Sequence, residues 1–215
     1  MKKVLCIGSV TTDVIVSPAD SVPTPGTLRA VDSVTTHVGG CAANAAIDLG
    51  RLGVPAVLCC KVGADSFGDF VEESVRASGA DTRGIVRDPA VSTTVSIVCV
   101  QSGGERSFLY CPGSTSAFTA ADVPDALLEE ADIVFIAGAM LLTAFDGEGA
   151  AQVLERARRM GKTTVMDTAW DFENIWLPKV EAALPHLDLF MPSVEEAAKL
   201  TGETEPGRIA DRLLE

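Results

Sequence analysis

Histidine is scarce in this chain and badly placed for metal work. Only two are present, His37 and His186, and neither has a metal-ligand companion at helical spacing, so a zinc centre is not expected. The six cysteines, Cys6, Cys41, Cys59, Cys60, Cys99 and Cys111, never form a C-x-x-C pair. Most sit inside apolar β-like runs, the setting of buried, reduced core thiols. Long apolar runs are missing as well. The first, Val4 to Val10, is too short to span a bilayer and no secretory pattern precedes it, so a cytoplasmic location is expected. Positive charge is in deficit: 17 Lys and Arg against 30 Asp and Glu give a net charge of −13. That balance repels nucleic acid and anionic membrane surfaces and favours a small-molecule partner. No internal repeat or low-complexity linker divides the 215 residues, and 47% apolar residues suffice for a buried core.

What the chain does contain is alternation. Lys3–Gly8, Ala56–Lys61, Ile133–Ala137, Thr163–Asp167 and Leu187–Met191 read as buried strands. Between most of them lie segments with a 3.6-residue apolar period, predicting helices at Ala42–Leu52, Phe67–Ser78, Gly147–Met160 and Val194–Thr201. Gly79 and Gly202 serve as C-terminal stops of the second and fourth. Such alternation indicates a parallel α/β sheet. Val14–Val16, Leu28–His37, Ser92–Gln101 and Glu105–Cys111 differ: they are β-rich, lack intervening helices and are joined by turn residues such as Ser102-Gly103-Gly104. They are expected to form a small antiparallel lid, from about 14–37 and 92–111, over the carboxyl edge of the sheet, where α/β proteins bind ligands.

One run is more specific than any of this. Gly39-Gly40-Cys41-Ala42-Ala43-Asn44 sets a glycine turn at the mouth of a helix, with Gly53 and Gly63 following. Glycines allow backbone N–H groups to approach a ligand, the helix adds a positive end, and Asn44 offers a donor and an acceptor from its first turn. Together with Gly8-Ser9-Val10-Thr11-Thr12-Asp13, Pro23-Thr24-Pro25-Gly26 and Asp65-Ser66-Phe67-Gly68, the run closely resembles the N-terminal signature of the ribokinase-like (PfkB) carbohydrate kinases. The resemblance extends from Lys3 to about Gly202. It implies a three-layer αβα ribokinase-like fold and ATP-dependent phosphorylation of a sugar hydroxyl with Mg²⁺. It also raises K⁺ as a cofactor, and it implies a homodimer formed through the lids.

The resemblance assigns residues one by one. Asp13 matches the aspartate that binds the sugar, with Gly39, Gly40 and Asn44 beside it; without the resemblance, a turn-capping role is the default for such an aspartate. Pro192-Ser193-Val194-Glu195-Glu196 matches an Asn-x-x-Glu pattern whose glutamate organises Mg²⁺ and phosphates through water. Glu196 is the matching glutamate, and Ser193 replaces the asparagine. Ser193 with Glu196 three residues on is equally a helix capping box. Asp167-Thr168-Ala169-Trp170-Asp171, with Trp176 beyond, resembles an Asp-x-Asn-x-Arg stretch before a tryptophan. Asp167 and Trp176 match, while Ala169 and Asp171 remove the asparagine and a cation beside the transferred phosphate. Cys41 and Ala42 stand where ribokinases often carry lysine and glycine, which leaves the sugar open.

The family's catalytic base is the aspartate of a Gly-Ala-Gly-Asp motif roughly 250 residues into the chain, at a helix N-terminus that also holds phosphate. No match occurs here. Pro206–Glu215 reads as a helix whose Ile209, Leu213 and Leu214 need a partner surface. The expectation is the N-terminal two-thirds of such a kinase, with part of the sheet missing and the 215 residues inactive by themselves. Alternatives are a non-catalytic sugar-binding or regulatory remnant, a nucleoside kinase of the same family and, more remotely, a dinucleotide-dependent oxidoreductase, for which Gly8 to Asp13 lack the glycine spacing.

Overall fold

The computed structural model describes residues 1–214. Among them, six parallel strands form the main sheet and four more form the lid. The main sheet comprises β1 (Val4–Gly8), β4 (Ala56–Gly63), β5 (Asp81–Asp88), β8 (Ile133–Ala139), β9 (Thr163–Thr168) and β10 (Leu189–Phe190), in the order β10-β9-β8-β1-β4-β5. The lid comprises β2 (Thr11–Ser17), β3 (Ser33–Gly39), β6 (Val95–Val100) and β7 (Arg106–Cys111), in the order β3-β2-β6-β7.

Strands β1 and β4 are buried at every position, as near-continuous apolar runs require when helices cover both faces. On one face lie α1 (Cys41–Arg51) and α2 (Ser66–Ala77). Ala42, Ala43, Ala46 and Ile47 of α1 pack on Cys6, Leu58 and Cys60. The small alanines let α1 sit close to the strands. On the other face, α5 (Glu148–Arg159) buries Ala150, Val153, Leu154 and Ala157, a stripe at i, i+3, i+4 and i+7, against Val134, Ile136 and Met166. Each fully buried Leu or Val there contributes about 1.5–3 kcal/mol. Helix α3 (Gly113–Ser116) leads out of the lid, α4 (Asp125–Glu130) precedes β8, and α6 (Val194–Thr201) and α7 (Pro206–Leu214) follow β10. No helix among the described residues is long and apolar enough to cross a membrane.

The expected elements occur, with four corrections. The lid is mixed rather than antiparallel, because β2 and β6 run parallel. After β3 the chain passes through α1, β4, α2 and β5 of the main domain before it returns, so it re-enters the lid in the same direction as β2. The second lid strand starts at Ser33, not Leu28. Its partner β2 ends at Ser17, where Pro18 has no N–H to continue the ladder. The last strand shrinks from Leu187–Met191 to Leu189–Phe190, since it pairs only with β9. An additional edge strand, β5, escapes the apolar-run criterion because Asp81, Arg83, Arg87 and Asp88 give it a charged texture suited to a sheet edge. The expected helix at Pro206–Glu215 is present as α7 to Leu214, and Glu215 lies outside the described residues.

Candidate active site

The carboxyl ends of β1, β8 and β9 meet the start of α1 around Ser9. Gly40 is the N-cap of α1 with φ 90°, and a Cβ there would fall 2.6 Å from Ser9 O and Val10 Cα. Gly138, at the end of β8 with φ 83°, faces Ser9 Oγ and the Cys41 side chain so closely that a Cβ would collide. Glycine is therefore required for close packing. The first amides of α1 are consumed by this packing: Cys41 N–H donates to Ser9 Oγ at 3.0 Å, and Ala42 and Ala43 N–H donate to Ser9 O at 3.2 and 3.4 Å. The helix mouth expected to present free amides to a ligand is thus closed by the β1 exit loop. Gly40 lets α1 dock there.

Gly39 has a different task. It ends β3 against the Asp13 carboxylate, with which an added Cβ would collide. Strand pairing aligns Asp13 with His37 on β3 and Ser96 on β6, and Ser96 with Tyr110 on β7. These four residues form one row across the lid, on one face. Burial raises the Asp13 carboxyl above its ordinary value, and the neighbouring His37 partly offsets this. Asn44 stands exposed on the first turn of α1, one residue beyond the amides that Ser9 occupies.

Across from the lid, Asp167 at the end of β9 accepts Gly138 N–H through Oδ1 at 2.6 Å. Burial pushes its carboxyl up to about 6; the Gly138 hydrogen bond opposes the rise and the nearby Glu196 charge adds to it. Glu196, at the start of α6, is 9% exposed. The capping box is present: Ser193 Oγ accepts from Glu196 N at 3.2 Å, and Glu196 Oε2 accepts from Ser193 N at 3.0 Å. Glu196 Oε2 also accepts from Thr168 Oγ1 at 2.8 Å, a bond a cap does not need. The Cys41 thiol lies within the same field: burial raises it first, and the charges of Asp167 and Glu196 raise it further. Asp167, Glu196, Ser193 and Cys41 are therefore brought together, with Asp13 and Gly39 on the lid side.

The substitution that sequence reasoning treated as the loss of a cation has a structural answer. Asp171 does not enter this cleft. It is 1% exposed and accepts N–H groups of Glu173, Ile175 and Trp176, together with Lys179 Nζ. Sequence reasoning missed Lys179, and it missed Tyr110 and Phe172, whose rings meet at 6.1 Å across the cleft. Register with Asp13 would have found Tyr110, but the pairing of β6 and β7 was needed first.

A model of the pfkB family of carbohydrate kinases matches residues 1–215. The chain belongs to this family. It is similar to fructokinase-1 of Oryza sativa subsp. japonica, with 30% identity over 176 residues, 80% of this chain and 54% of the relative. It is similar also to a nucleoside kinase of Methanothermobacter thermautotrophicus, with 26% identity over 93% of this chain and 62% of that one. Its fold matches Arabidopsis thaliana ribokinase complexed with ribose and ATP at a TM-score of 0.82, 21% identity, over 99% of this chain and 67% of the ribokinase. The chain spans about half the length of the curated relatives it matches.

The raised Asp167 carboxyl makes stability depend on pH in a defined direction. Because its folded value lies above the ordinary 3.8, the protonated form is the one the fold favours. That contribution is complete below about pH 4 and is lost as pH rises through about 6. Asp167→Asn keeps an acceptor for Gly138 N–H and carries no charge. In metal-free buffer, the variant should gain on the wild type between pH 4 and 7, reaching about 1–3 kcal/mol. Denaturant melts at both pH values check this, and a difference independent of pH would contradict it.

Proposed function

We propose that the protein phosphorylates a hydroxyl of a sugar with ATP. What carries this reading is Asp13 on the lid, together with Asp167 at the end of β9 and its charged neighbour Glu196 at the start of α6, in a pfkB-family fold whose parallel sheet binds ligands at its carboxyl edge. Asp13 accepts hydrogen bonds from two sugar hydroxyls, which polarises them and fixes their orientation. Gly39 gives that carboxylate room, and Asn44 adds a donor and an acceptor at the rim. The nucleotide phosphates are assigned to the start of α6, beside Ser193, Glu196 and Asp167.

Asp167 and Glu196 fit a hard divalent cation. Their oxygens suit Mg²⁺, and the Glu196 charge disfavours ionisation of Asp167 until a positive charge joins them. Mg²⁺ bound there, through water at Glu196, would neutralise the charge that spreads over the transferred phosphoryl group. The assignment takes the general base from the Gly-Ala-Gly-Asp motif of the resembled family, which is not among these 215 residues; turnover is therefore assigned to a protein that supplies it. A nucleoside acceptor is the second reading, favoured by the exposed aromatic side chains Tyr110, Trp170 and Phe172 around the cleft. Homodimerisation through the lids is part of the proposal, supported by Phe108 and Leu109, 59% and 60% exposed on the edge strand β7.

Asp13→Ala should weaken sugar binding by about 1.5–3 kcal/mol while the melting temperature stays near that of the wild type, since hydroxyls lose a charged acceptor. Calorimetry with D-fructose, D-ribose and adenosine tests both this and the acceptor class. Unchanged affinity with the fold intact would sink the assignment.

Glu196→Gln separates capping from metal organisation, because glutamine also completes a capping box. Melting should stay nearly constant while the Mg²⁺ needed for nucleotide binding rises severalfold. An unaltered Mg²⁺ dependence would leave Glu196 a cap.

For the lids, sedimentation equilibrium should show a dimer that Leu109→Lys dissociates. A monomeric wild type at micromolar concentration would remove the dimer from the account.

A further inference from the structure

A second polar network lies behind the cleft, and phosphoryl transfer does not use it. Lys179, 8% exposed, donates from Nζ to Asp171 Oδ1 at 2.8 Å, Glu173 Oε2 at 2.6 Å and Met140 O at 3.1 Å. Asp171 also accepts three backbone amides at 2.5–3.1 Å. On the Met140 side, Asp146 accepts Met140 N–H and Leu142 N–H at 3.0 and 2.9 Å and holds Met140 at φ 79°. Burial works against each charge here. The bonds to Asp171 and Glu173 nevertheless keep Lys179 above its ordinary value, and Lys179 with the amides keeps Asp171 below its own. Asp146, with fewer compensating donors, is pushed up to about 6.

One ammonium therefore ties the loop that leaves β8 to the loop that leaves β9. The two loops border the candidate cleft. Phe172 belongs to the second loop, and its ring centroid is 5.6 Å from Lys179 Nζ. The same ring meets Tyr110 of the lid edge-on, at 6.1 Å and 63°. Tyr110 shares its row with Ser96 and Asp13. A buried cation thus sets the position of a ring that joins the sheet domain to the lid beside the sugar-binding carboxylate.

We infer that Lys179 is a positioning residue that holds the 169–176 loop so that Phe172 closes against Tyr110, and that this aromatic pair is a specificity-determining wall of the acceptor site. The specificity claim rests on the proposed function; the latch between loop and lid does not. A wall of two rings offers an acceptor apolar contact. Lys179, committed to Asp171, Glu173 and Met140 O, has no donor left for an anionic substituent.

Hydrogen exchange by mass spectrometry on the full chain separates the parts. Phe172→Leu should raise exchange in 106–111 about tenfold and leave 138–146 unchanged; Lys179→Met should raise it in 106–111, 138–146 and 169–176 together. Faster exchange spread evenly over the molecule would show a merely structural role and overturn the latch. An unchanged 106–111 in Phe172→Leu would overturn it too. If Lys179→Met does not fold, Phe172→Leu and Asp171→Asn decide, the latter being expected to loosen 169–176 and 106–111. With D-fructose and D-ribose as probes, Phe172→Leu should weaken sugar binding about three- to tenfold and leave ATP binding unaltered. Equal sugar affinity would overturn the specificity claim. If neither sugar binds the wild type, the sugar-kinase reading and the specificity claim fail together, and the exchange pattern alone judges the latch.

Discussion

Close backbone approach around Ser9 is the constraint on which the rest of the site depends. Helix α1 can seat its first turn on the exit of β1 only because Gly40 and Gly138 lack side chains, and Ser9 then takes three amides of that turn. The seating fixes Cys41 beside the end of β8. It also leaves Gly138 N–H pointing at Asp167. A single side-chain carbon would collide with the Ser9–Val10 backbone at Gly40, or with the Ser9 and Cys41 side chains at Gly138, and so disturb this seating.

Charge organises what packing brings together. The chain carries a net charge of −13, and the candidate site holds the carboxylates Asp167 and Glu196, the first within the field of the second, with Asp13 on the lid side. Two of them are raised by burial, and Asp167 is raised further by its neighbour. On the proposed function, such a site would repel anions when empty and accept a polyphosphate once a divalent cation joins it, which would couple metal and nucleotide binding. Elsewhere the structure pairs its buried charges. Lys61, in the fully buried β4, reaches Asp122 at 2.9 Å, and Lys179 reaches Asp171 and Glu173.

The parts of this arrangement that sequence revealed are those with a local signature. Apolar runs marked β1, β4, β8 and β9, the 3.6-residue period marked α1, α2, α5 and α6, and the spacing of Ser193 to Glu196 marked a cap that the structure contains. The parts that stayed hidden depend on long-range pairing. The lid is mixed because of a chain excursion through the main sheet, and no pattern within residues 11–17 or 95–100 encodes that direction. Asp171 was legible only as the replacement of a cation beside phosphate, yet a lysine eight residues later and three local amides draw it inward. The Gly39-Gly40 pair was found for its turn geometry, but its function is divided: one glycine makes room for Asp13 and the other for Ser9.

The central claim is that acceptor and nucleotide meet between the lid row at Asp13 and the carboxylate pair at Asp167 and Glu196. A crystal structure with D-fructose or D-ribose, a non-hydrolysable ATP analogue and Mg²⁺ tests it most directly. The account predicts sugar hydroxyls on the Asp13 carboxylate, with Mg²⁺ and phosphate oxygens beside Asp167 and Glu196 at the start of α6. Sugar bound away from Asp13, or nucleotide bound with its phosphates away from α6, would contradict it.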